Sequence, residues 1–361
     1  MKKAFVFSIF GSYNYGNRLQ NYALTSVLEK LGVDAVSVHI DERIKAVYSK
    51  KLKGAVKKKL AGFGIGKYKQ KIDIESALEK RNVIFDRFTE EYTNSIKIPD
   101  FGSSVPDMGN ADYAVAGSDQ IWRNWTDNPK ELEHYYLTAF PKEKRIAYAA
   151  SFGYDHIPFK DRALHKRGLS GFLENNISVR ESSAADTIDS LIGRRPKEVP
   201  DPVLLIERFE WEGMAKKPSY HIPEKFALKC MLENEDEIES DIPIVDIYNV
   251  GHSDEFITTG PSEFLWLILN CECVYTDSFH ACAFSIIFHK EFTAFKRSKN
   301  DTMFGRIKNL LKKMGLENME FYGDFDTKHD IDWNDVDLRI KEQRSIGFDF
   351  LNNALGEKLI V

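Results

Sequence analysis

Short runs of β-branched and aromatic residues alternate along the chain with segments whose apolar residues fall three and four apart, and this alternation limits the fold more than any other feature. It is the pattern of βα units, in which a strand buried on both faces is followed by an amphipathic helix that covers the sheet. The strands expected include Ala4 to Phe10, Ala35 to Ile40, Tyr113 to Ala116, Ile146 to Ala150, Ile177 to Val179, Ile244 to Val250, Val274 to Thr276 and Phe292 to Phe295. Among the helices, Leu19, Tyr22, Ala23, Val27, Leu28 and Leu31 form one apolar stripe that stops at Gly32. At 361 residues the chain has room for two α/β domains of roughly 150 residues each. We expect a first unit over 1–170 and a second over 171–361, the boundary falling near 165 to 176, where Gly168 and Gly171 flank a short polar segment. Asp337 to Leu355 reads as a helix packing back on the first unit. Only Glu233 to Pro243 separates two strands between Phe226 and Val250, too short for a full crossover helix.

Lys plus Arg is 50 against Asp plus Glu 55, a net charge of -5 that gives no reason to expect a nucleic acid as partner. No apolar run approaches the roughly 20 residues of a spanning helix. The opening Met1-Lys2-Lys3 followed by an apolar stretch has the order of a signal peptide, but the stretch is too short and runs into Gly11-Ser12-Tyr13-Asn14, so a first buried strand in a cytoplasmic protein is the reading. Cys230, Cys271, Cys273 and Cys282 show no C-x-x-C spacing and read as buried reduced thiols; no metal site is expected. Between Arg43 and Lys71, nine lysines including Lys45, Lys50, Lys57 and Lys67 occur without an acid, interleaved with Val47, Leu52, Val56, Leu60 and Phe63. This insertion, 43–72, fits a basic amphipathic helix in peripheral contact with anionic membrane, or a solvated lid.

Four constellations carry polar residues at strand ends, where open parallel sheets bind ligands. The first, Asn14-Tyr15-Gly16-Asn17, opens the first helix without G-x-G-x-x-G spacing, which argues against a dinucleotide cofactor and leaves an acceptor-binding turn or a structural one. The second is Ser118-Asp119-Gln120-Ile121-Trp122: Ser118, Asp119 and Gln120 can orient sugar hydroxyls while Trp122 offers a flat face, or Ser118 and Asp119 simply cap a helix. In the third, Arg180 stands at a strand end beside Glu181, its planar fork suited to carboxylate or phosphate, or engaged internally by Asp201 or Glu181. The fourth is Asp277-Ser278-Phe279-His280, where an almost wholly apolar helix begins with His280 in its first turn, a place that favours an anion. Lys296 and Arg306 follow within reach of the same end as candidate phosphate ligands or surface cations.

Taken in order, these segments resemble the polysaccharide pyruvyl transferase family. The resemblance rests on Asn14-Tyr15-Gly16-Asn17 with Leu19-Gln20-Asn21-Tyr22-Ala23-Leu24, Gly117-Ser118-Asp119-Gln120-Ile121-Trp122 and Ala147-Tyr148-Ala149-Ala150-Ser151-Phe152-Gly153. It continues through Ser178-Val179-Arg180-Glu181, Asp201-Pro202-Val203-Leu204-Leu205, Gly260-Pro261-Ser262-Glu263-Phe264 and Asp277-Ser278-Phe279-His280. It implies a glycosyltransferase-B-like pair of Rossmann-like domains facing a cleft. It also implies phosphoenolpyruvate as co-substrate with no other cofactor, and a sugar or lipid-linked oligosaccharide of a bacterial surface polymer as acceptor. By the same resemblance Arg180 and His280 bind the donor from the second domain. On that footing His280 is the candidate acid, with Asp119 or Glu181 as base, and Ser278, Phe279, Lys296 and Arg306 complete the donor site. The alternatives are a nucleotide-sugar glycosyltransferase of the same architecture and a non-catalytic carbohydrate-binding protein.

Overall fold

Lys2–Phe7 (β1) begins the chain as a strand buried from Ala4 onward, as its apolar run dictates. This computed structural model describes residues 1–10, 14–40, 74–125, 128–154, 156–234, 236–248, 254–297, 304–321 and 330–356. The basic insertion 43–72 lies outside the described residues. After β1 come α1 (Tyr15–Lys30), β2 (Val33–Ile40), α2 (Ile74–Tyr92), β3 (Ser95–Ile98), β4 (Tyr113–Ala116) and α3 (Pro129–Tyr135). Next are β5 (Arg145–Ala150), α4 (Arg162–Leu169), β6 (Ile177–Val179), α5 (Ser182–Ile192), β7 (Lys197–Glu198) and α6 (Arg208–Met214). The remainder holds β8 (Ala227–Cys230), β9 (Ile244–Asp246), α7 (Asp254–Thr258), α8 (Pro261–Asn270), β10 (Cys273–Thr276), α9 (Phe279–Ile287), β11 (Glu291–Ala294), α10 (Gly305–Met314) and α11 (Trp333–Ala354).

The strands make two parallel sheets, one of seven in the order β3-β2-β1-β4-β5-β6-β7 and one of four in the order β11-β10-β8-β9. The strand order reverses direction between β1 and β4 in the first sheet and between β8 and β10 in the second, which opens a crevice at the carboxyl end of each. β8 and β9 lie side by side in parallel, Ala227 opposite Ile244, with no helix between them among the described residues, as the short connection required.

The boundary expected at 170 is corrected by the pairing. β6 pairs with β5, and β7 with β6, so the first sheet continues to Glu198. Gly168 and Gly171 mark only the end of α4 within a continuing βα series; the chain passes to the second sheet after β7, through the 3-10 turn Pro202–Leu205. Arg180 therefore stands on the first sheet and not on the second.

One hydrophobic cluster joins both halves: Ala4, Leu19, Leu24 and Val115 belong to the same core as Leu228, Phe264, Val274 and Phe284. A second packs the other face of the first sheet around Phe5, Phe7, Trp122 and Ile188. The expected return of the C-terminal helix holds. Phe350 of α11 packs on Tyr148 with ring centroids 6.0 Å apart, Lys2 Nζ donates to the Leu355 carbonyl at 3.1 Å, and Arg344 donates to the Leu204 and Ile206 carbonyls at 3.1 Å each.

Candidate functional site

The carboxyl ends of β4, β6 and β10 converge on a buried cluster of charges. Arg180 lies just past β6 with its side chain 3% exposed, and every branch of its guanidinium meets a carboxylate: Nη1 donates to Asp201 at 2.7 Å, Nη2 to Asp119 at 3.3 Å and Nε to Glu181 at 3.4 Å. The Phe279 ring covers the guanidinium face at 4.1 Å. Burial alone would lower the Arg180 guanidinium, but Asp201, Asp119 and Glu181 outweigh it and push the group further up. The internal pairing weighed from sequence is thus what Arg180 makes, and the fork expected to hold a substrate anion is already occupied by protein.

Asp119 sits at φ +70, in the left-handed region, where its short side chain is tolerated. There it accepts from Asn17 Nδ2 at 2.6 Å, a bond that spans the crevice between β1 and β4, and faces Arg306 Nη1 at 3.6 Å. Burial would raise its carboxyl, but Arg180, His280 and Arg306 together hold it below the usual range. Glu181 is held on its other oxygen by the Ser151 hydroxyl. Both candidate bases are therefore buried and engaged, and Asp119 is a weak base at that.

Asp201, completely buried, is the hub that sequence reasoning weighed only as a partner of Arg180. Its Oδ2 accepts from Arg180 and from Ser118 Oγ at 2.8 Å and lies 3.6 Å from His280 Nε2, while Oδ1 caps the Val203 amide at 3.2 Å. Burial would lift this carboxyl, but the charges of His280 and Arg180 and the hydrogen bond from Arg180 hold it far below the ordinary range. The signal for it was the Asp-Pro pair that starts the turn between the sheets.

Ser278 caps α9, its hydroxyl accepting from the Ala281 amide at 3.5 Å, and so places His280 in the first turn, 3% exposed. The imidazole lies against Gly16 so closely that a Cβ there would come within 2.0 Å of Nδ1. Asn14 caps α1, accepting from the Gly16 amide at 3.0 Å, so two helix N-termini meet at His280. Arg306, from the first turn of α10, is 8% exposed; its Nε has no partner, and burial and the neighbouring Arg180 push it down to about 10. A narrow pocket opens beside the cluster, lined by Arg180, Asp201, Phe279, Arg306, Asn309 and Lys313.

Four expected residues are elsewhere. Trp122 is fully buried among Tyr136, Phe152 and Phe172, its indole donating to the Tyr135 carbonyl, so it is core and offers no face to a sugar. Tyr15 is stacked on Phe264 at 4.5 Å between the two halves. Gln120 turns its amide to Arg123 at 3.1 Å. Lys296 pairs with Glu320 at 3.2 Å and contacts none of the cluster. In each case a large or long side chain found a better partner than the cleft. Asp277, the first residue of the fourth constellation, accepts the amides of Leu232, Glu233 and Asn234 at 2.6, 2.8 and 2.9 Å, filling the second crevice with a carboxylate of the protein's own. All four cysteines are free, and among the described residues no cluster of metal-ligating side chains occurs.

Two parallel α/β sheets whose carboxyl ends share one buried ionic cluster define a two-domain protein of glycosyltransferase-B-like architecture. Residues 14–299 match the polysaccharide pyruvyl transferase family, and the chain belongs to that family. Among solved structures, the S. aureus MnaA–UDP co-structure is similar at 12% identity and a TM-score of 0.51, covering 98% of this chain and 96% of that one. The UDP-GlcNAc 2-epimerase from Neisseria meningitidis bound to UDP-GlcNAc is similar at 9% identity and a TM-score of 0.42, covering 98% and 100%. At 12% identity the first of these speaks to fold alone. No curated protein matches the chain. Among the described residues no helix is long and apolar enough to cross a membrane.

Proposed function

We infer that the chain moves the enolpyruvyl group of phosphoenolpyruvate onto a sugar of a bacterial surface polysaccharide, or onto its lipid-linked precursor, as a pyruvate ketal. The observation that carries this reading is His280, set in the first turn of α9 beside Asp201, at the cluster where Arg180 and Arg306 meet Asp119, Glu181 and Asp201 between the two sheets. In this scheme the donor phosphate lies at the amino end of that helix, with Arg306, whose Nε lacks a partner, neutralising it. Arg180, held by three carboxylates, supports Asp119 and Asp201 and sets the local charge. His280 gives a proton to the methylene carbon, the C2=C3 π electrons form the new C–H bond, and C2 becomes electrophilic. One sugar hydroxyl adds to C2 and its proton returns to His280; a second hydroxyl displaces phosphate, which leaves with that hydroxyl's proton. His280 thus serves as acid and then base, and Asp119 and Glu181 tune charge instead of taking protons. The reaction would run on the membrane-facing side of the cytoplasm if the basic insertion 43–72 meets anionic lipid, which binding to phosphatidylglycerol vesicles at low salt tests.

Asp277 argues against a nucleotide sugar as donor. In Rossmann-like units a diphosphate rests on amides after the first strand, and here the amides after β8 are already given to a carboxylate. The test is a thermal-shift titration with phosphoenolpyruvate beside UDP-glucose and UDP-N-acetylglucosamine. Saturating phosphoenolpyruvate, at about a hundred times its dissociation constant, should stabilise the protein by about 2.7 kcal/mol. Stabilisation by a UDP-sugar and none by phosphoenolpyruvate overturns the reading.

A further inference from the structure

We propose that Asp201 is the positioning residue of His280: it holds the Nε2–H edge of the imidazole, and Gly16 admits the ring, so that Nδ1 is the nitrogen that exchanges protons with the substrate. The inference rests on the transfer chemistry proposed above, which left open how His280 is oriented.

His280 Nε2 faces Asp201 Oδ2 at 3.6 Å and has no hydrogen-bond partner, one step short of a bond that would close with a shift of a few tenths of an ångström. Asp201 cannot turn away. Arg180 and Ser118 fix its Oδ2, the Val203 amide fixes its Oδ1, and the proline that follows sets the backbone. A carboxylate held this firmly accepts a hydrogen bond and does not supply one, so it selects the tautomer with hydrogen on Nε2. The other side of the ring lies on Gly16, where any side chain would collide with Nδ1, Cγ and Cε1 at 2.0 to 2.6 Å. The helix turn following β1, read from sequence as an acceptor-binding segment, therefore serves first to seat the histidine. The charged groups around the ring are Asp201 and Asp119 from the first sheet's loops, with Arg180 and Arg306 behind them.

The atoms balance with Nδ1 as the working nitrogen. Its N–H bond breaks as the methylene C–H bond forms, the imidazole left behind keeps its Nε2 proton on Asp201, and the incoming hydroxyl's proton restores Nδ1–H. Asp201 never changes protonation state.

The experiment is ring-nitrogen NMR of histidine-labelled protein, run on wild type, Asp201→Asn and Gly16→Ala, with His280→Gln to assign the signal. Near neutral pH the wild type should show Nε2 protonated; Asp201→Asn, whose amide can donate as well as accept, should move the signal toward the other tautomer or a mixture. Turnover of phosphoenolpyruvate should then fall at least about a hundredfold in kcat, with the phosphoenolpyruvate-induced thermal shift retained. Gly16→Ala keeps every polar partner and should lose kcat similarly by displacing the ring, which covers the case in which Asp201→Asn fails to fold. An unchanged tautomer signal in Asp201→Asn, or full kcat in Gly16→Ala, overturns the proposal. A protein that ignores phosphoenolpyruvate while its tautomer responds as stated leaves the positioning intact and refutes the transfer reaction instead.

Discussion

Arg180 is bound on three sides by carboxylates, and the balance of charge around it sets what can be changed there. Removing one member of a buried ion cluster leaves its partners charged and dry, which costs far more than the pair contributes. Arg180→Ala should therefore lower stability by about 3–5 kcal/mol, read as a fall in the denaturant midpoint at unchanged slope; a loss under about 1 kcal/mol would mean the cluster is hydrated in solution. The same cluster predicts an acid limit. Asp119 and Asp201 have folded-state carboxyls below their ordinary 3.8, so the unfolded chain takes up protons first as pH falls. Their contribution is complete above about pH 4 and drains away below it. Thermal melts from pH 6 to pH 2.5 should show this decline, and Asp201→Asn should flatten it; an equal slope in the variant would place the titrating groups elsewhere.

At the scale of elements, the strands and helices were readable because parallel strands buried on both faces are continuous apolar runs, and because Gly32 and the caps at Asn14 and Ser278 end or begin helices by local chemistry. What periodicity could not supply was which sheet a strand joins: β6 and β7 are too short to declare a partner, and only the fold pairs β6 with β5 and β7 with β6. The site was legible in part for a similar reason. Asp119, Arg180 and His280 lie at strand ends, which sequence locates, whereas Asp201 and Asp277 act through contacts made 21 and 45 residues away. Trp122 shows the opposite failure, since an indole after a polar turn suits a sugar and a core equally well. Trp122→Ala should cost about 3–5 kcal/mol and leave the phosphoenolpyruvate shift in place; a stable variant with weakened acceptor binding would return it to the site. Asp277→Ala releases three half-buried amides at once and should cost about 1–3 kcal/mol, measured by urea unfolding; no loss would mean that the loop after β8 holds itself.

For the whole molecule, two sheets of unequal size suggest two domains that unfold separately, which is the usual behaviour of chains of this length. The packing points the other way. A single hydrophobic cluster runs from β1 and α1 through α8 to β10 and α9, Tyr15 of the first half lies flat on Phe264 of the second, and Arg81 of α2 donates to the Thr259 carbonyl beside α8 at 3.2 Å. α11 then ties the turn between the sheets to the first strand, through Arg344 at one end and Leu355 at the other. The shared cluster opens when either half is lost, and the first sheet keeps only the packing on its other face, so scanning calorimetry should record one transition, with calorimetric and van't Hoff enthalpies equal. Phe264→Ala, which removes the ring under Tyr15, should move that single transition down by about 3–5 kcal/mol without splitting it. Two resolved transitions in the wild type, or a split in the variant, would show instead that the halves fold alone and that the ionic cluster forms only when they dock; the histidine would then be assembled by domain closure, and its activity would follow the population of the closed form.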